Sequence, residues 1–595
     1  MVERDLEKGA AHARDAAETP SRRNGGIREF FDEVLREQLE HDPEMLTRLG
    51  LAEALGIPKS DDRLTRCSPC AAAESLNRAE RHLARLRQFE DAGLSTSDRV
   101  SKRVLKWLLE DRLRDKPFLH HGYVVNQLNG IQLDLPAFMV GVHPLHDLEG
   151  CETYVARLHG FREKFRQLLE SLRLREEMAI LPPRFVVTGV LEGIDRMLAG
   201  HPEHHPLVTT LAGAAPVQDQ RARWLGRARE AVEQVVFPEY RRLASYLREL
   251  LPHTDARDGV WKLPNGEAYY HHLLHHHTSL NLPVDKVHDL GEDEVARIHA
   301  EMERQFVRIG RTQGTLSQRM RALFDDPAFR YPDDEAGREH ILRDYRAIVE
   351  EAQRVLPDWF DLQPASELKV ARVPRFKERG APGAYYMAPA MDGSRPGVFF
   401  VNLRDIAETP RFTMRTLAYH EAVPGHHFQM GLAQEITDLP HFRRTLSLTA
   451  YVEGWALYTE NLASEMGLNP TPYDELGRLQ AELLRAARLV VDTGIHALRW
   501  TRRQAIDYMI ATGCLAPSDA VTEVERYIVF PAQACAYKIG MLHIQDLRFR
   551  AEDRLGSAFD VKAFHRAVLR DGALPLPVLA DRVREWIRDR ALAKD

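Results

Sequence analysis

Residues 419–429 read YHEAVPGHHFQ, and residues 451–460 read YVEGWALYTE. Adjacent His420 and Glu421, another histidine soon after and an acid about thirty positions downstream are what a mononuclear zinc hydrolase needs: ligands, plus an acid that stays off the metal. A regular H-E-x-x-H places its two histidines at i and i+4 on one helical face. Here position 424 is proline, so His426 or His427 must take over. On an unbroken helix His426 lies about 120° off the face of His420, whereas His427 returns near that face about 10 Å farther along the axis. Pro424 removes a donor and clashes with the preceding turn, and Gly425 tolerates unusual dihedrals. Together they predict a two-residue bulge that bends the helix and brings His426 toward His420. His426 is therefore the preferred second ligand, with His427 a neighbouring or core residue; the choice between them stays open at this point.

Glu453, which opens EGWALYTE, is the expected third ligand. Glu460 lies one heptad later on nearly the same face but about 10 Å away, so the two carboxylates are not expected to share one ion. Glu421 points to a neighbouring face and is the expected general base. Histidine alone is a weak signal in this chain. It occurs 27 times, and HHLLHHH at 271–277 shows that a cluster need not be a site.

The surroundings read as a soluble helical protein. Hydrophobic residues make up 44% and charged residues 28% of the 595, with a formal charge of -7. That balance offers no long-range attraction to nucleic acid or to an anionic membrane. No apolar run reaches membrane-spanning length, and the polar N-terminus lacks a secretory h-region, so no membrane partner is expected. Five cysteines, Cys67, Cys70, Cys151, Cys514 and Cys535, suit a reducing compartment, and the cytoplasm is the expected location. The lone CSPC at 67–70 reads as an unpaired turn.

Residues 1–25 read as a flexible tail and 26–595 as a single two-lobed helical domain, with the metal region at 415–465. Helical periodicity is clear at 79–112, 153–176, 218–249 and 292–312, and returns at 443–465, 474–500, 502–513 and from Glu523 onward. Three short runs, LKVARVPRF at 368–376, AYYMAP at 384–389 and GVFFVNL at 397–403, alternate with Gly/Pro/Asp turns. They predict a small antiparallel sheet at about 368–403, whose exposed edge, including Tyr385 and Tyr386, is placed to touch an extended peptide. The fold class expected is mainly α.

At HEAVPGHHFQ and EGWALYTE the chain resembles the bacterial DUF885 family, taken as part of the zincin-like (gluzincin-type) metallopeptidase clan. Matching runs include WKLPNGEAYY from Trp261, HTSLNLPVDKVHDLG from His277, APGAYYMAP, DTGIHALRWTRRQAIDYM from Asp492 and ERYIVFPAQACAYKIG from Glu525. The wording departs from the commonest pattern at Ala532 and Cys535; Cys535 is read as buried. The resemblance implies a large helical body with a deep cleft, distantly like thimet oligopeptidase and carboxypeptidase Taq. It also implies Zn2+ held by His420, His426 and Glu453, with Glu421 as general base.

For amide hydrolysis the developing oxyanion needs a donor beyond the metal. Tyr537 is the leading candidate and His496 the second. Arg488, Asp492 and His496 form one i, i+4, i+8 stripe, in which Asp492 could orient His496 or a metal-bound imidazole. Arg526 and Lys538 are candidates for a substrate carboxylate. The expected activity is zinc-dependent cleavage of short peptides. The alternatives are a zinc amidohydrolase of another amide metabolite and a noncatalytic peptide-binding protein. A homodimer is allowed.

Overall fold

The structure, a computed structural model, describes residues 20–592 except 215–219, 376–377, 379–381, 392, 394 and 514, with side chains from residue 26. The tail expected over 1–25 lies largely outside the described residues; the first helix is Pro20–Glu40. Helices dominate, as the periodicity predicts, but the reading at 79–112 is divided. One helix, Pro69–Leu86, is capped by Ser68, and the next, Thr96–Arg114, is capped by Ser95. Each serine oxygen accepts a backbone N–H left unpaired at a helix start.

The elements that build the site follow in chain order: α1 (Gly266–Thr278), α2 (Val284–Arg308), three short strands, then α3 (Arg411–Glu421), α4 (His426–Glu435), α5 (Thr449–Glu465), α6 (Pro472–His496), α7 (Pro517–Val529) and α8 (Cys535–Leu555). The strands are β1 (Leu368–Arg372), β2 (Ala384–Met387) and β3 (Gly397–Val401). Their order is β1-β3-β2, with β3 parallel to β1 and antiparallel to β2. The sheet is therefore mixed, not antiparallel as expected. The chain does reverse direction at each link, but the β1–β2 link skips one strand position, and β3 fills the gap running with β1. Periodicity reports strands and turns but carries no information on that skip.

Three apolar cores organise the described residues. One is built by helices between 125 and 250. A second joins the N-terminal helices, α1, the sheet, α3 to α5, α8 and the C-terminal helices. The third lies around α2, α6 and α7. α6 is buried along most of its length and starts with a capping box between Thr471 and Asp474. Such a cap contributes about 0.5–2 kcal/mol and fixes where the helix begins. Its inward stripe carries Arg488, Asp492 and His496 between the second and third cores.

Candidate metal centre

The HEAVPGHH segment is a break between two helices, a sharper feature than the expected bulge. α3 stops at Glu421 and α4 starts at His426. The peptide before Pro424 is cis. Gly425 is needed for closeness: a Cβ there would run into the carbonyl oxygens of His420 and Tyr419. The chain thus turns back over the end of α3 and sets His426 beside His420, their rings 4.7 Å apart and nearly perpendicular. Trp455 of α5 fastens the turn, donating its Nε1 hydrogen to the Pro424 carbonyl at 2.9 Å. That indole is fully buried, and removing such a side chain costs about 3–5 kcal/mol.

α5 brings the third group. Glu453 Oε2 lies 3.5 Å from His420 Nε2 and 3.4 Å from His426 Nε2. All three ligand atoms fall within 4.8 Å of one another. Four-coordinate zinc with bonds near 2.0–2.1 Å separates its ligand atoms by about 3.3 Å, so the donor set and its spacing fit that ion. Among the described residues, His426 Nδ1 is buried without a hydrogen-bond partner.

The three groups are electrostatically coupled. Burial alone would lower the basicity of His420, but hydrogen bonds to Glu453 and Glu460 push it up to about 9. Burial alone would raise the carboxyl of Glu453, but His426 and His420 hold it well below the usual carboxylate range. Glu421 is buried beside them and, among the described residues, makes no hydrogen bond or ion pair.

Glu460 is the residue the spacing argument undervalued. It does not join the triad; its Oε1 binds the opposite nitrogen of His420, Nδ1, at 2.7 Å. The imidazole bridges the gap between two carboxylates one heptad apart on α5. A carboxylate behind a ligating imidazole fixes its tautomer and raises its basicity. The signal was present as the Glu453/Glu460 repeat.

His427 turns away from the triad. Its Nδ1 meets the Tyr386 hydroxyl of β2 at 3.0 Å, and burial holds it down to about 4. Tyr385, on the other face of β2, stacks on Phe400. Tyr537 stays close to the site. Gly454 and Gly540 let α5 and α8 touch backbone to backbone, since a Cβ on either would strike the other helix. Glu453 and Tyr537 lie beside that crossing. Burial raises the Tyr537 hydroxyl, and the charge of Glu453 raises it further.

Three expected roles do not survive. His496 has both ring nitrogens engaged by backbone, Nδ1 accepting from Val260 N–H at 3.1 Å and Nε2 facing the Tyr527 carbonyl at 3.0 Å. No nitrogen is left for an oxyanion. Asp492 does not orient any imidazole; it accepts from the Tyr270 hydroxyl at 2.6 Å and the Ala532 amide at 2.9 Å. Lys538 is fully buried between Glu294 and Glu482, each at 2.7 Å, and cannot greet a substrate. Arg488 and Arg526 gather around Glu523. Cys535 is buried, as expected.

Residues 43–583 match DUF885, described as a bacterial protein of unknown function. No curated protein matches the chain. Two solved structures are similar in architecture. A "putative lipoprotein" from Colwellia psychrerythraea is 33% identical over 95% of this chain and 99% of that one, with a TM-score of 0.92. A "putative lipoprotein of unknown function" from Shewanella oneidensis is 18% identical over 93% of this chain and 99% of its own, with a TM-score of 0.71. Among the described residues, no helix is long and apolar enough to cross a membrane.

Proposed function

The chain belongs to the DUF885 family of bacterial proteins of unknown function, and from that premise we propose that it is a zinc-dependent hydrolase cleaving peptide bonds in short peptides. The observation that carries this reading is the convergence of His420, His426 and Glu453 on one point beside an unpaired Glu421. A structural zinc site would close its coordination shell with four protein ligands, whereas a catalytic one keeps a position for water. Three ligands fit the second case.

When bound there, zinc supplies Lewis-acid polarisation and an acidified water. Glu421 would take the proton of the attacking water and pass it to the leaving amine. One water is consumed for each C–N bond broken; its oxygen stays on the acyl carbon and its hydrogens end on the two products. Tyr537 would donate its hydroxyl to the carbonyl oxygen as charge develops. In this reading β2, which lies at the sheet edge and meets His427 through Tyr386, would pair with an extended peptide.

The reading carries with it the zincin-like body and cleft, a cytoplasmic location and short peptides or small amides as partners. It is tested by incubating zinc-loaded protein with a mixed short-peptide library and following products by mass spectrometry. Cleavage abolished by a chelator is expected. Full zinc occupancy with every peptide intact would overturn the reading in favour of peptide binding without catalysis.

A further inference from the structure

Beside the triad, two guanidinium groups share one carboxylate. Arg488 of α6 donates Nη2 to Glu523 at 2.9 Å and Nε to the Tyr527 hydroxyl at 3.1 Å. Its Nη1 is buried with no hydrogen-bond partner among the described residues. Arg526 of α7 donates to the same Glu523 oxygen at 3.1 Å and to Gln533 Oε1 at 2.8 Å, and its side chain is 23% exposed. Asp492, which also faces Arg526, is turned to Tyr270 and the Ala532 amide. Two guanidinium groups thus share the one Glu523 carboxylate oxygen.

Tyr537 links that corner to the triad. Its ring lies over the Arg488 guanidinium, 4.7 Å from centroid to Cζ, and Gln533 reaches its hydroxyl at 3.5 Å. The same hydroxyl feels Glu453 together with Arg526 and Arg488. A group bound by Arg526 would lie one side chain, Gln533, from the Tyr537 hydroxyl. In a peptide, a carboxylate one residue beyond the scissile bond lies about one residue's length away, 3.8 Å between successive Cα atoms. Guanidinium is the side chain whose planar fork suits a carboxylate.

Resting on the hydrolase reading above, we propose that Arg526, held by Glu523 and Gln533 and backed by the charge of Arg488, binds the free C-terminal carboxylate of the substrate. The enzyme then removes C-terminal residues or splits dipeptides, and Arg488 is a positioning residue that does not touch substrate.

The test compares matched peptides that differ only in ending as a free acid or as a C-terminal amide. The zinc-loaded wild type is expected to prefer the acid about 10- to 100-fold in kcat/KM, the range of a charge-assisted hydrogen bond. Arg526→Gln should shrink that ratio to within about two-fold of unity, chiefly through KM, and Arg526→Lys should keep part of it. Equal use of acid and amide by the wild type overturns the proposal, as does a ratio unchanged in Arg526→Gln. Failure of the hydrolase reading looks different: neither peptide is cut. Calorimetric binding of the same two peptides to the zinc-loaded wild type then decides, with acid selectivity lost in Arg526→Gln supporting the subsite and absent selectivity rejecting it.

Discussion

HHLLHHH at 271–277 and HEAVPGHH at 420–427 are both rich in histidine, yet the two stretches spend their rings differently. In α1 three of the five rings take partners on other elements, His272 with Asp115 at 2.7 Å, His276 with Asp111 at 2.6 Å and His277 with Thr449 at 3.4 Å, while His275 lies against the Trp107 ring. These contacts bolt one helix to its neighbours. In the second stretch the helix breaks, and two rings from different helices meet a carboxylate from a third. Density of ligand residues is thus a poor guide to a metal; convergence of donor atoms from separate elements is a better one.

The comparison breaks most visibly in metal content. His420→Ala or Glu453→Ala is expected to lose essentially all bound zinc, while His272→Ala and His276→Ala keep it at the wild-type ratio, as read by plasma emission analysis of the purified proteins. Zinc retained in the first pair would reject the ligand set. Glu421→Gln separates holding from reacting. It should keep its zinc while peptide turnover falls about 10²- to 10⁴-fold, the usual contribution of a general base; undiminished turnover would remove Glu421 from that role. A smaller effect is expected one step back from the metal. Glu460→Gln should weaken zinc affinity about 10- to 100-fold in a competition titration, whereas His427→Gln, facing β2, should change it little.

The smallest effect concerns acid stability. Burial, with repulsion from His276 and His272, holds His277 down to about 3 against an ordinary value of 6.5. The folded protein thus keeps this ring neutral where the unfolded chain protonates it. The stability it contributes is complete above about pH 6.5 and is lost as pH falls from there toward about 3. His277→Gln should reduce the fall in unfolding free energy between pH 7 and 5 by on the order of 1 kcal/mol. Other buried histidines, His496 and His565 among them, sit near 4 and keep the remaining slope. An identical slope in the variant would show that His277 is not neutral in the fold.

Much of this was legible in the sequence because it is written at short range. Helical periodicity, the Pro424–Gly425 interruption and the spacing to Glu453 are local facts with local consequences. What escaped needed a partner from elsewhere. Nothing in the α6 stripe says that His496 is taken by the backbone of Val260 and Tyr527, or that Lys538 ends between Glu294 and Glu482. The strand order depended on which gap β3 filled, and the role of Glu460 on the length of an imidazole ring.

The claim that one point in this molecule is built for a metal is tested most directly by anomalous diffraction at the zinc edge from crystals of the zinc-loaded protein. The account predicts a single strong peak bonded to Nε2 of His420, Nε2 of His426 and a carboxylate oxygen of Glu453, with Glu421 in reach but unbonded. A peak among His272, His275 and His276, or none at the triad, would contradict it.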